Sequence, residues 1–396
     1  MKGLTLLGTG DAQHPKWFEE LKSELKDEHS TGIYSSATGQ NFLLQTELSL
    51  VFTHAGKGRR IHNVVLLPSI ESVAQLQEAL LKRGRIDYDG RPIFGMSCAE
   101  FVEMLRNIDK RIEVIPAHAW TPWFGLFGSK SGFDSIKEGF QEQAKHIHAI
   151  ETGISSDPGM NWRLSQLDNI QIVSFSDSHS HWPWRIGREC TVFDVKEVTY
   201  DNILKAIRTG EGLASTIEFF PEEGKYHYDG HRDCGVMFSP EQSKKHHNLC
   251  PKCTRPLTIG VLNRIEELAD RPEGFKLAHG KPFLNLMPLS EVIAASLKAP
   301  VMSKKVWELY YKLMEAFGNE LNVLLDAKEH ELHKIVDERL AGIILKNRSQ
   351  QIKFRPGYDG VYGEPLIDGE AEGHTVRKEE DYDKPSIPRQ TGLKEF

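Results

Sequence analysis

Carboxylates and imidazoles recur beside the short apolar runs of the first half of this chain. Asp11 and His14 follow the run at residues 4–7, and Glu47 sits inside the alternating run at 42–52. His62 precedes the run at 64–67, His118 follows 112–115, Glu151 follows 147–150, and Asp177 and His179 follow 170–175. Side chains of these types are the ligands of Zn²⁺, Mn²⁺ or Fe. A single histidine beside a strand is ordinarily a hydrogen-bonded structural residue. A carboxylate or imidazole beside nearly every strand points instead to a multinuclear metal cluster. Metal ions roughly 4 Å apart activate water, neutralise phosphate oxygens and stabilise a leaving oxygen, so no side-chain nucleophile is needed. Accordingly there is no Gly-x-Ser-x-Gly elbow, and GTGDAQ lacks the Gly-Lys-Ser/Thr of a phosphate-binding P-loop.

A second constellation lies further on. His231-x₂-Cys234, fifteen intervening residues, then Cys250-x₂-Cys253 has the spacing of a structural zinc site, with His227, His246 or His247 as alternatives to His231. Three of the five cysteines fall in this stretch, which in a reducing compartment argues for metal over disulfides. Lys244, Lys245, Lys252, Arg255 and Arg264 make the surroundings basic enough to neutralise backbone phosphates, although a solvated face is the plainer reading.

The elements that must position these residues follow a repeating rhythm. Helix-like stretches at 17–25, 72–82, 97–107, 133–145 and 199–209 separate the apolar runs, the mark of βα units and a parallel sheet or barrel. In such a barrel functional groups sit at the C-terminal ends of strands. Residues 257–270 carry one apolar helical face, and a second helical block spans about 289–347 with a break near Pro300. Residues 369–389 are charged and punctuated by proline, a disordered composition. The 396 residues, with 49 basic against 56 acidic side chains and a formal charge of −7, therefore divide into four parts. These are a barrel (1–218), a zinc module (219–256), a helical domain (257–366) and a tail (367–396). The acidic total does not favour a whole-surface affinity for nucleic acid, so any such binding must come from local basic patches, and no apolar run is long enough for a membrane span. A cytoplasmic location is expected.

TGDAQH, TELSL, RIHNVVLLP, PAHAW and FSDSHS resemble successive metal-binding motifs of the PHP (polymerase and histidinol phosphatase) superfamily. The resemblance implies a distorted (β/α)₇ barrel with up to three metal ions. Longer stretches from Met1 to about Gly363, among them PAHAWTPWFG, FSDSHSHWPWRIGRE, YHYDGHRDC and PGYDGVYG, resemble the endonuclease Q family within it. That likeness implies a DNA-repair endonuclease cutting 5′ to deaminated bases (uracil, hypoxanthine, xanthine) and abasic sites. By matched position it implies Asp11, with His14 as fallback, His62, His118, Asp177 and His179 as ligands, and Glu47 as the bridging carboxylate. Asp177 and Glu47 carry the catalytic role. The family's opening His-x-His and its strand have no counterpart here, so the chain is expected to start inside its own barrel.

Zn²⁺ is expected in the structural site and the catalytic cluster, with Mn²⁺ or Mg²⁺ possible in the latter. Trp120, Trp123, Phe124, Trp182 and Trp184 near the barrel mouth are candidates for stacking on a flipped base, core packing being the commoner role of each. Gln390-x-x-Leu393-x-x-Phe396 resembles a peptide that binds the DNA sliding clamp. Two rival functions remain at this point. One is a PHP-type phosphatase for small phosphate monoesters; the other is a lesion-binding protein that does not cut.

Overall fold

The computed structural model describes residues 1–27, 29–88 and 91–367. Its central feature is a long hairpin. The alternating apolar pattern at 42–52 belongs to a strand, Asn41–His54, that turns through Ala55 (φ 50°) and Gly56 (φ 76°) and returns as Lys57–Leu67. The two strands pair antiparallel from Leu44↔Leu67 to His54↔Lys57. Glu113–Pro116 adds antiparallel to the return strand, while Leu6–Gly8 and Ile93–Phe94 add parallel to Asn41–His54. With Tyr34–Ser35 these make a six-stranded mixed sheet.

This corrects the expected run of parallel βα units. Parallel neighbours need a crossover of a dozen or more residues, and only Ala55 and Gly56 separate these two strands, so the chain has room for nothing but a hairpin. Ala149–Glu151 pairs parallel with Gln171–Val173 in a separate sheet. Leu213–Glu218 lies between Cys190–Phe193 and Phe283–Asn285 in a third. Among the described residues the strands form a mixed α/β fold without a closed barrel.

Most helices start where their caps require. Ser69 and Ser97 close capping boxes on Ile70–Leu81 and Cys98–Ile108, and Thr199 caps Tyr200–Thr209. The stretch at 133–145 instead breaks into Ile136–Phe140 and a 3₁₀ segment, Gln141–His146, because Gln141 adopts φ 52°. The C-terminal helical block is Leu289–Leu297, Lys304–Phe317, Glu320–Leu325, Glu329–Leu332 and Glu338–Arg348.

One apolar core packs the hairpin against the helices at 70–81 and 98–108 through Leu48, Ile61, Leu76 and Phe101. Another joins Ile217 of the third sheet to Ile293, Tyr310, Leu313 and Ile344 of the helical block. The start of the chain is bound to that block. Met1 and Lys2 carbonyls accept from the N–H groups of Glu320 and Leu321. The Lys2 ammonium, 8 % exposed, donates to Glu320 Oε1 at 2.6 Å and to the Pro183 carbonyl at 2.8 Å. Glu320 is fully buried and also accepts from Leu289 N and the Tyr310 hydroxyl.

Removing one partner of such a pair leaves a buried charge uncompensated. Glu320→Ala is expected to cost about 3–5 kcal/mol of unfolding free energy in denaturant titrations, and Lys2→Met with Glu320→Gln together clearly less.

Candidate metal centres

Glu47 and His62 come from facing strands of the hairpin. Glu47 pairs with Val64 and His62 with Ser49, so the two side chains are diagonal neighbours on one face. His118 lies two residues beyond the strand Glu113–Pro116 and joins them. Glu47 Oε1 is 3.1 Å from His62 Nδ1 and 3.4 Å from His118 Nε2, and the two imidazoles approach at 3.1 Å. These three residues can offer ligand atoms that all lie within 4.8 Å of one another.

Several contacts hold the imidazoles in place. The Thr121 hydroxyl donates to the His118 carbonyl at 3.0 Å, so its oxygen accepts from His118 Nδ1 at 2.8 Å. That arrangement turns Nε2 toward Glu47, where it can ligate an ion. Phe124 lies against His62 with ring centroids 4.3 Å apart. The Glu151 carboxylate accepts the backbone N–H of His118 at 2.6 Å, and burial raises its pKa to about 8. Glu151 thus braces the loop that carries His118 and lies outside the three-residue group. Gly153, at φ 68°, passes so close that a Cβ there would come within 2.7 Å of His118 Cβ.

Asp177 and His179 stand across the site, with Asp177 Oδ1 3.3 Å from His179 Nε2. Arg91 connects the two groups, and sequence reasoning missed it. Its Nη1 is 2.9 Å from both Glu47 Oε1 and His62 Nδ1 and 3.9 Å from Asp177 Oδ1; its Nη2 is 3.2 Å from His179 Nε2. Arginine is not a metal ligand and lies outside every motif matched above, so the only signal was a cation just before a short strand. Asp11 feels the charges of His14, Glu47, His179 and Arg91, and burial above all raises its pKa. Neither Asp11 nor His14 joins the three-residue ligand group. Three of the expected ligands, Asp11 (φ 42°), His118 (φ 31°) and Asp177 (φ 40°), hold positive φ, a strained conformation outside glycine.

The electrostatics suit a cation. Burial pushes the His62 pKa down to about 4, so it is neutral. Burial also acts to lower His118, but its hydrogen bond to Glu47 and the charges of Glu47, Asp177 and Glu151 outweigh this and raise it to about 9. Burial alone would raise Glu47; the bonds from His118 and His62 hold it well below the usual carboxylate range. A positive His118 and the Arg91 guanidinium therefore stand where an ion's charge would serve.

The second centre gathers His231, Cys234, Cys250 and Cys253 with ligand atoms within 4.8 Å of one another, the set read from the spacing. His231 and Cys234 come from a hairpin, Asp229–His231 with Val236–Phe238. Cys250 and Cys253 flank a turn closed by Thr254 N to the Cys250 carbonyl. Of the alternatives, His227 is buried elsewhere and His246 stacks on Phe238. The donor set fits zinc.

The basic surroundings divide. Lys244, Lys245, Lys252 and Arg255 are all exposed. Lys244 pairs with Glu266, and Lys252 donates to the Cys234 carbonyl. Arg264 corrects its expected role: it is buried and bound to Glu267, Asp134 and the carbonyls of Phe127 and Phe133, so it locks the fold and faces no phosphate. Trp120 is buried with its Nε1 on Asn161, a core residue. Trp182 and Trp184 stack at 4.9 Å and reach Trp307 of the helical block. Gln390, Leu393 and Phe396 lie outside the described residues. No helix among the described residues is long and apolar enough to cross a membrane.

Two substitutions test these centres. Gly153→Ala should displace His118 and lower divalent-metal affinity at the Glu47 group about tenfold or more by equilibrium dialysis. Cys250→Ala should remove one zinc per chain in elemental analysis and speed amide exchange across 229–256.

This chain is similar to known proteins over most of its length. The lesion-specific endonuclease PfuEndoQ of Pyrococcus furiosus is 31 % identical, covering 98 % of this chain and 92 % of its own, with a TM-score of 0.81. Endonuclease Q bound to a 27-mer duplex with an abasic lesion at the active site is 32 % identical over 93 % and 89 %, with a TM-score of 0.82. The uncharacterized protein MJ0043 of Methanocaldococcus jannaschii is 34 % identical over 254 residues, and the chain spans 31 % of its length. YqxK of Bacillus subtilis is 28 % identical over 378 residues, covering 91 % of this chain and 88 % of that protein. Residues 288–351 match the family described as MJ0043 C-terminal domain. On full-length likeness in both sequence and structure, this chain belongs to the endonuclease Q family.

Proposed function

We propose that this protein is a metal-dependent DNA-repair endonuclease that hydrolyses the phosphodiester bond 5′ to deaminated bases and abasic sites. The observation that carries the reading is the convergence of Glu47, His62 and His118, with Asp177 and His179 across from them, on one point of a chain similar to a lesion-specific endonuclease. Its likeness to a structure holding an abasic duplex supports DNA as the substrate. The strands are read as an opened PHP-type barrel over 1–218, followed by a zinc module at 219–256 and a helical DNA-binding domain at 257–366.

Glu47, His62 and His118 would hold one metal ion, and Asp177 and His179 an adjacent one, with Zn²⁺, Mn²⁺ or Mg²⁺ suited to these donors. When bound, such ions supply an activated water and neutralise the phosphate. The chain's own residues do the rest. Glu47 supplies the carboxylate that lies within reach of both His62 and His118. The Thr121 hydroxyl keeps His118 Nε2 aimed inward, and Glu151 fixes the loop that carries it. Phe124 shields one face of His62 from solvent. Lys245 and Arg255, exposed within the zinc module, are side chains available to backbone phosphates. The sliding clamp is the proposed partner of the C-terminal peptide.

The test is a panel of duplexes containing uracil, hypoxanthine or an abasic site, set beside simple phosphate monoesters. Nicking 5′ to the lesion, lost with a chelator and restored by Mn²⁺, is the expected result. Hydrolysis of monoesters alone would make the protein a phosphatase, and lesion binding without nicking would make it a non-catalytic reader. Asp177→Ala and His62→Ala should each lower nicking by roughly a thousandfold or more while duplex affinity stays within about threefold.

A further inference from the structure

Arg91 lies closer to Glu47 and His62 than these two lie to each other, at 2.9 Å against 3.1 Å. Its Nη1 is also 3.5 Å from His118 Nε2, so one nitrogen touches donor atoms of all three residues that can share an ion. The backbone beside it is pinned. The Pro92 carbonyl accepts from Ser49 N, and Ile93 pairs with Ser49, two residues along the strand from Glu47. Only the side chain is free to leave. A guanidinium stays charged at any working pH, so it cannot yield to an ion by losing a proton as an imidazole does. Two cations at this separation repel strongly.

We propose that Arg91 and a divalent metal ion are alternative occupants of this pocket, and that the guanidinium displaced by the metal is the group that takes the substrate's phosphate. The inference rests on the metal-dependent reading above. Metal entry neutralises Glu47 and Asp177 and removes the anions that Arg91 holds. The side chain remains tethered at the pocket's edge by Pro92 and Ile93. There its planar fork of N–H donors matches two oxygens of a phosphate, the anion that the site is proposed to cut. One residue thus balances the buried carboxylates before loading and grips the substrate afterwards.

The experiment titrates the full chain, carrying one zinc per chain in the cysteine site and stripped of all other metal, with Mn²⁺, following free Mn²⁺ by electron paramagnetic resonance. Binding that disappears in His62→Ala defines the site. Arg91→Met and Arg91→Gln should each bind Mn²⁺ there about tenfold or more tightly than the wild type, since a charge-assisted contact no longer competes. Equal or weaker Mn²⁺ binding in whichever variant keeps a native circular dichroism spectrum overturns the exchange. At saturating Mn²⁺, calorimetric binding of inorganic phosphate should weaken about tenfold or more in the same variants. Unchanged phosphate binding overturns the second half of the proposal. If neither wild type nor variants bind Mn²⁺ in a His62-dependent way, the metal-dependent reading fails and the exchange falls with it. Equal affinities defeat the exchange alone.

Discussion

A carboxylate taken out of water must be met by compensating charge or hydrogen bonds. Glu47, with only 16 % of its side chain exposed, imposes that demand on the centre of the largest sheet. His62, His118 and Arg91 answer it from the return strand, from the loop after Glu113–Pro116 and from the segment before Ile93–Phe94. Each is brought to Glu47 by pairing within the same sheet, so the register of the long hairpin decides whether the centre exists. A slip of one residue would turn Glu47 to the opposite face and leave the imidazoles facing nothing.

The two candidate metal centres would put similar side chains to different uses. Three cysteines and a histidine on a small hairpin and a tight turn make a closed set, and an ion held there would put its binding free energy into folding the module. The Glu47 centre is the reverse. Its candidate ligands are oxygen and nitrogen carried by the largest sheet and the loop after it, and three of the expected ligand residues hold backbone strain at positive φ. Such strain persists only where the surroundings fix it. The Glu151 carboxylate on His118 N and the close approach of Gly153 are two of the fixings.

Much of this was legible from the residues themselves. The grouping of His231, Cys234, Cys250 and Cys253 followed from spacing alone, because a closed set built from two short turns has its geometry written locally. The six apolar runs each fell on a strand, and the helix-like stretches located the helices Pro15–Glu24, Ile70–Leu81, Cys98–Ile108 and Tyr200–Thr209 to within a few residues. Nine strands among the described residues, most of them two or three residues long, went unread. What periodicity could not convey was direction. A half-buried strand alternates in the same way whether its neighbour is parallel or antiparallel, and the mixed sheet became apparent only from the two-residue turn at Ala55–Gly56. The centre was only partly legible for a related reason. Glu47, His62 and His118 were found as ligand types beside strands, whereas Arg91 belongs to a class that never ligates and is brought in by a two-residue strand. Arg264 failed in the opposite sense. Its charge suggested DNA, but burial and anionic and carbonyl partners from distant segments decided its role.

The central claim is that the Glu47 group is a metal centre whose entry displaces Arg91. Crystals of the full chain soaked in Mn²⁺ and measured at the manganese edge test it most directly. The account predicts an anomalous peak within ligand distance, roughly 2.0–2.2 Å, of Glu47 and the imidazoles, with the Arg91 guanidinium moved away from them. A map without anomalous density there, with Arg91 still on Glu47 and His62 at saturating Mn²⁺, would contradict it.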